Sequence, residues 1–120
     1  MKTEVRDKAE VMNEILAYST GTEAYHKINM FSPVVVTDGI MAMCQNLGAF
    51  WLVDAILSYR RAERFQIWSL NVGDRSAVLE MREDAPEPVK VQQVIEWTDF
   101  PQGNWKFWLV DGVLMLPTEY

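Results

Sequence analysis

The chain holds one histidine, His26, and one cysteine, Cys44. Ser-His-Asp or Cys-His catalysis would need His26 beside Cys44 or a serine, with a carboxylate such as Asp38 orienting the ring. Nothing in the spacing places such a set together. Cys44 also falls on an apolar helical row, where buried structural cysteines are common. Tyr25, His26 and Asp38 are the residues around which a pocket would form, and a small hydrolase or transferase is the activity they would serve. A surface or capping histidine is the competing reading, and no catalytic residue is assigned.

One His and one Cys cannot supply the four N or S ligands of a structural zinc. Glu80, Glu83, Asp84 and Glu87 could offer oxygens to Mg²⁺, but beside Pro86 and Pro88 they read as a solvated hairpin turn. The six glycines are scattered singly, each near a turn, cap or helix junction, so no phosphate-cradling loop is present. Neither a metal nor a cofactor is expected. Asp54 stands out within an apolar run, because a buried carboxylate needs a partner. Arg60, Arg61 and Arg64 follow it, so an ion pair or hydrogen bond is the expectation, with a pocket carboxylate as the sharper alternative.

These residues must be positioned by one domain, since 120 residues suit a single core spanning 1–120. A composition 49% hydrophobic and 23% charged excludes a disordered chain. The net charge of −6 is spread over both halves with no cationic stripe, which argues against direct nucleic-acid binding. With one cysteine, no intrachain disulfide can form. The opening residues Met1 to Asp7 lack the apolar core of a signal peptide. The apolar stretch Ala49–Leu57 falls far short of the ~20 residues that span a bilayer. No membrane association and a cytoplasmic location are expected.

Hydrophobic spacing predicts a helix over about Glu4–Tyr18, with Thr3 as N-cap. Residues 22–27 read as a short helix or an irregular crossing, and Val34–Val36 as a strand stub or extended linker. From Gly39 to about Arg60 the pattern is helical and strongly apolar, with Gly48 marking a kink, a junction between two helices or a close helix–sheet contact. After Arg64 the period changes to two. Strands are predicted over Phe65–Val72, Ser76–Arg82, Val89–Trp97, Asn104–Val110 and Val113–Leu116, with a hairpin turn at Asp111-Gly112. The expected fold is α+β, with N-terminal helices packed on one face of a four- to five-stranded antiparallel meander.

Several segments carry a resemblance. Thr20-Gly21-Thr22-Glu23, Tyr25-His26, Thr37-Asp38-Gly39, Gly48 to Ala55, Arg75 to Asp84, Thr98-Asp99-Phe100-Pro101 and Asp111 to Tyr120 resemble a family of small uncharacterised proteins from bacteria, phages and plasmids. The match runs from about Thr20 onward. It is a domain of unknown function, so it implies no residue roles. It implies a mobile-element or phage setting, and with it a small protein acting on another protein.

The sheet's second face is the most informative feature. If Ala77, Leu79 and Met81 point at the helices, Val78, Glu80 and Arg82 point away. Ile67, Val78, Val94, Trp108 and Val110 form the companion outer set, interleaved with Lys90, Gln92, Glu96 and Lys106. A fully solvated face should be mostly polar, so Trp and branched residues there suggest a contact surface. The competing reading has the last strands or residues 22–36 folding back over it. The expected function is a non-enzymatic interaction module, an accessory or inhibitor protein whose partner is another protein or a second copy in a homodimer.

Overall fold

Helix α1 (Lys8–Tyr18) starts where the Asp7 side chain accepts a 2.8 Å hydrogen bond from the Ala9 amide. The computed structural model describes residues 7–120, so the expected cap Thr3 and positions Glu4 to Arg6 lie outside the described residues. Residues 22–27 form no helix and are irregular apart from two residues. Strand β1 (Tyr25–His26) pairs antiparallel with β2 (Val35–Thr37).

Thr37 then caps α2 (Asp38–Leu47), its hydroxyl accepting from the Ile40 amide. Gly48 ends that helix at φ 64°, ψ 34°, a left-handed cap that glycine adopts without steric penalty. The long apolar run is therefore two helices, and α3 (Phe50–Ser58) follows at once. Five further strands come next: β3 (Phe65–Val72), β4 (Ala77–Arg82), β5 (Val91–Ile95), β6 (Gly103–Val110) and β7 (Val113–Met115). A short 3-10 turn, Pro117–Glu119, ends the described elements.

The fold is α+β, but the sheet corrects the predicted meander in three respects. It has seven strands rather than four or five, in the order β1-β2-β7-β6-β3-β4-β5. It is mixed, because β2 runs parallel to β7 with Val35 opposite Val113 and Val36 opposite Leu114. Finally, β1 and β2 lie between α1 and α2, so the helices do not all precede the strands.

Strands β3, β4 and β5 are linked in sequence, yet β6 returns to pair with β3 instead of β5. That order, with the fourth strand beside the first, is a Greek key. The crossing loop explains it. Thr98, Phe100 and Pro101 are buried, the Phe100 and Trp105 rings meet edge to face, and Trp105 Nε1 donates to the Pro101 carbonyl at 2.8 Å. The loop thus carries apolar groups into the core and has a reason to pass beneath the sheet rather than turn back. The Asp111-Gly112 hairpin behaves as predicted, with both residues at positive φ, as a type I′ turn requires.

Alternation assigns the faces. Trp68, Leu70, Leu79, Met81, Phe107, Leu109 and Leu114 are buried with Ile40, Met43, Cys44, Leu52, Val53 and Ile56 of the helices. Even the polar member of this face is satisfied. Buried Gln66 accepts from Trp68 Nε1 at 2.8 Å and donates to the Glu63 carbonyl at 3.1 Å. Among the described residues no helix is long and apolar enough to cross a membrane.

Candidate functional site

The other face of the sheet follows from the same register. Ile67 stands opposite Trp108, and Val110 lies between Phe65 on β3 and Val113 on β7. Trp108 is also opposite Met115. The final turn brings Tyr120 onto this group. Its ring centroid lies 5.3 Å from that of Trp108 and 6.3 Å from that of Phe65, and Phe65 and Trp108 are 5.4 Å apart. Trp108 is half-buried, while Tyr120 is 75% exposed, so the cluster is a surface patch with Tyr120 as its outermost ring.

The outer set named from sequence is divided by this arrangement. Ile67, Trp108 and Val110 join the patch. Val78 and Val94 face each other across β4 and β5 at the far end of the strands, with Asn71 opposite Val78. Between the two groups runs a polar ladder: Asn71 Nδ2 and Gln92 Nε2 donate to the two oxygens of Glu80 at 3.2 and 3.0 Å. Ser69 and Lys106 stand opposite each other beside it. Phe65 shares the parity of Ile67 and was open to the same reading. Tyr120 was not, because its contact depends on the course of the final turn.

The second candidate set lies at the start of α2. His26 Nε2 is 2.7 Å from Asp38 Oδ1, and the other Asp38 oxygen accepts from the Glu23 amide at 2.9 Å. The Asp38 amide donates to the Thr22 hydroxyl, which itself donates to the Ala24 carbonyl. The His26 contact, and after it the Glu23 amide, hold the Asp38 carboxyl below its ordinary value. Tyr25 is exposed and points a large ring outward on the edge strand. A second carboxylate completes the region. Glu119 accepts from Thr37 Oγ1 at 2.6 Å, the Gly39 amide at 3.1 Å and the Leu116 amide at 3.0 Å.

Among the described residues neither the cysteine nor an uncommitted hydroxyl joins this network. Cys44 is fully buried in the core, and desolvation, helped by the nearby charge of Asp54, pushes its thiol up to about 12. The hydroxyls of Thr22 and Thr37 are both committed to caps and turns. The His26–Asp38 contact fastens β1 to the first turn of α2.

Asp54 corrects another expectation. It is exposed, while Arg61 pairs with Glu63 and Arg64 with Asp111, so the expected ion pair with these arginines is not formed. Helix α3 turns Asp54 outward because Leu52, Val53, Ile56 and Leu57 occupy its buried side. Glu80 serves the polar ladder and Glu83 pairs with Lys90. Among the described residues no three His, Cys, Asp or Glu side chains gather where a metal could sit.

Among the described residues, clefts of about 250 Å³ dent the surface in at least three places. One lies between residues 31–34, with Phe31 and Pro33, and the end of α3, where Arg60 and Arg61 flank it. None of the three is lined by Tyr25, His26 or Asp38.

Fold and site together define a two-layer α+β protein with helices on one side of a Greek-key sheet and an aromatic patch on the other. Residues 10–120 match the model of a family of unknown function, DUF6876, and the chain belongs to that family. Neither a curated protein nor a solved structure matches it.

Proposed function

We propose that this protein is a non-enzymatic interaction module that docks another protein on the helix-free face of its sheet, around Trp108. The observation that carries this reading is the Phe65–Trp108–Tyr120 cluster, standing on a face that no described helix covers. Trp and Tyr concentrate binding energy at protein interfaces because they bury large apolar area and keep a polar tip for hydrogen bonding. Lys106, Glu80 and Gln92 border the patch with charge and hydrogen-bonding groups, as the rim of an interface requires. Its setting would be that of a small accessory or inhibitor protein of a mobile element.

The test is side-by-side capture from native cells with wild type and Trp108→Ala, followed by calorimetric titration of each purified partner. Truncating a central tryptophan should weaken the genuine partner about thirtyfold or more. A partner that binds both forms equally would remove Trp108 from the interface.

One contact favours a second reading, a small hydrolase or transferase built on Tyr25, His26 and Asp38. The 2.7 Å His26–Asp38 pair is the base-and-orienter half of a nucleophilic site. On this reading His26→Ala abolishes a measurable turnover while leaving capture of the partner intact. Among the described residues the hydroxyls in this network are committed to caps and turns, which makes it the weaker of the two.

A further inference from the structure

We propose that two copies of this chain join through strand β5, antiparallel and about a two-fold axis at Gln93, to make one continuous sheet. The sheet has two outer edges, β1 and β5. Strand β1 has only two residues, too few to hold a partner strand. β5 has five, Val91-Gln92-Gln93-Val94-Ile95, and among the described residues nothing pairs with its free side. An open edge is a row of unmet backbone donors and acceptors, which proteins normally blunt with charges or proline within the strand. This edge has neither, and its residues favour extended structure.

The charges just outside the strand select the partner. In an antiparallel pair, residues directly opposite each other share a face. With the axis at Gln93, Val91 meets Ile95 of the second copy on the helix side, and Gln92 meets Val94 on the open side. The next position outward places Lys90 opposite Glu96, once at each end. Moving the axis to Gln92 would set Lys90 against Val94, and Glu96 against Pro88. Moving it to Val94 would set Lys90 against Thr98, and Glu96 against Gln92. All three registers keep both helix layers on one side, and only the Gln93 register matches both charges. Lys90 spans to Glu83 of its own chain at 2.8 Å, and Glu96 of the second copy would give it a second carboxylate. Val94, 66% exposed, is the apolar group that the pairing covers. Because the contact uses the same strand from both copies, it closes as a dimer and does not propagate.

The reading of the Trp108 face is independent of this one, and the experiments separate them. Sedimentation equilibrium of wild type should give a concentration-dependent dimer. Lys90→Glu and Glu96→Lys each place like charges opposite one another twice, and each should raise the dimer dissociation constant about tenfold or more. An equimolar mixture of the two variants restores both opposite-charge pairs and should restore dimerisation. Residues 91–95 should lose hydrogen-exchange protection on dilution of wild type, and lack it at all concentrations in either variant alone. A chain that stays monomeric throughout would overturn the proposal, as would a dimer indifferent to both charge changes or one abolished instead by Trp108→Glu.

Discussion

Glu119 shows how much one carboxylate can hold. It receives Thr37, Gly39 and Leu116 at once, fixing the last turn to the positive end of α2. The approach is so close that a Cβ on Gly39 would lie 2.6 Å from Glu119 Oε1 and 2.8 Å from Leu116 Cδ1. Glu119→Ala should therefore lose roughly 1–3 kcal/mol in urea unfolding, the range for charge-assisted and capping bonds. Gly39→Ala should lose a similar amount by expelling the same carboxylate, and the double variant should lose less than the sum, since the nearer of the two clash partners is gone. Cys44 calls for a different measurement. With its thiol buried and pushed up to about 12, a thiol reagent should label it only at the rate at which the fold opens, and fully in denaturant. Asp38 sets a pH dependence. Its folded carboxyl lies below the ordinary 3.8, so the stability it contributes is complete above that value and fades as pH falls through the lower folded one. Asp38→Asn should be less stable than wild type near neutrality, and urea midpoints of the two should converge in acid. His26 and Asp38 were both visible in the sequence as chemistry-bearing residues. Their pairing was not, because it depends on two short strands that bring positions 26 and 38 together.

Strand parity was legible and strand order was not, for a physical reason. Alternation along Ala77–Arg82 reports which side of a strand is apolar, and the structure puts Ala77, Leu79 and Met81 against the helices as that pattern implies. Order depends on which strand a returning loop reaches, and the cue lay in Phe100 and Pro101, two apolar residues that resembled an ordinary turn. The parallel β2–β7 contact was hidden likewise, because a three-residue strand carries too little periodicity to declare itself. The two faces should differ sharply in energy. Trp68 is fully buried with its indole nitrogen satisfied, so Trp68→Ala should destabilise by about 3–5 kcal/mol. Trp108 is half-buried on the open face, where Phe65 and Tyr120 meet its ring, so Trp108→Ala should lose less, about 1–2 kcal/mol. Chemical denaturation of the two variants checks the contrast, and equal losses would mean that the outer face is as enclosed as the core.

Among the described residues no α-helix covers the opposite face of the sheet, and joining β5 to β5 extends that face while covering Val94 at its border. The two proposals then reinforce each other. In the paired molecule both Trp108 patches look the same way from one continuous sheet, at a spacing fixed by backbone hydrogen bonding rather than by a flexible linker. A partner immobilised densely on a surface would be gripped by both patches, and the second contact would form at a high effective concentration. Wild type should consequently leave such a surface at least tenfold more slowly than Lys90→Glu, while the affinity per site measured with the partner free in solution stays the same for both. Surface plasmon resonance at high and low partner density, set beside solution calorimetry, separates these quantities. A dissociation rate that does not change with density would mean that the patches act singly, whatever the state of the β5 edge.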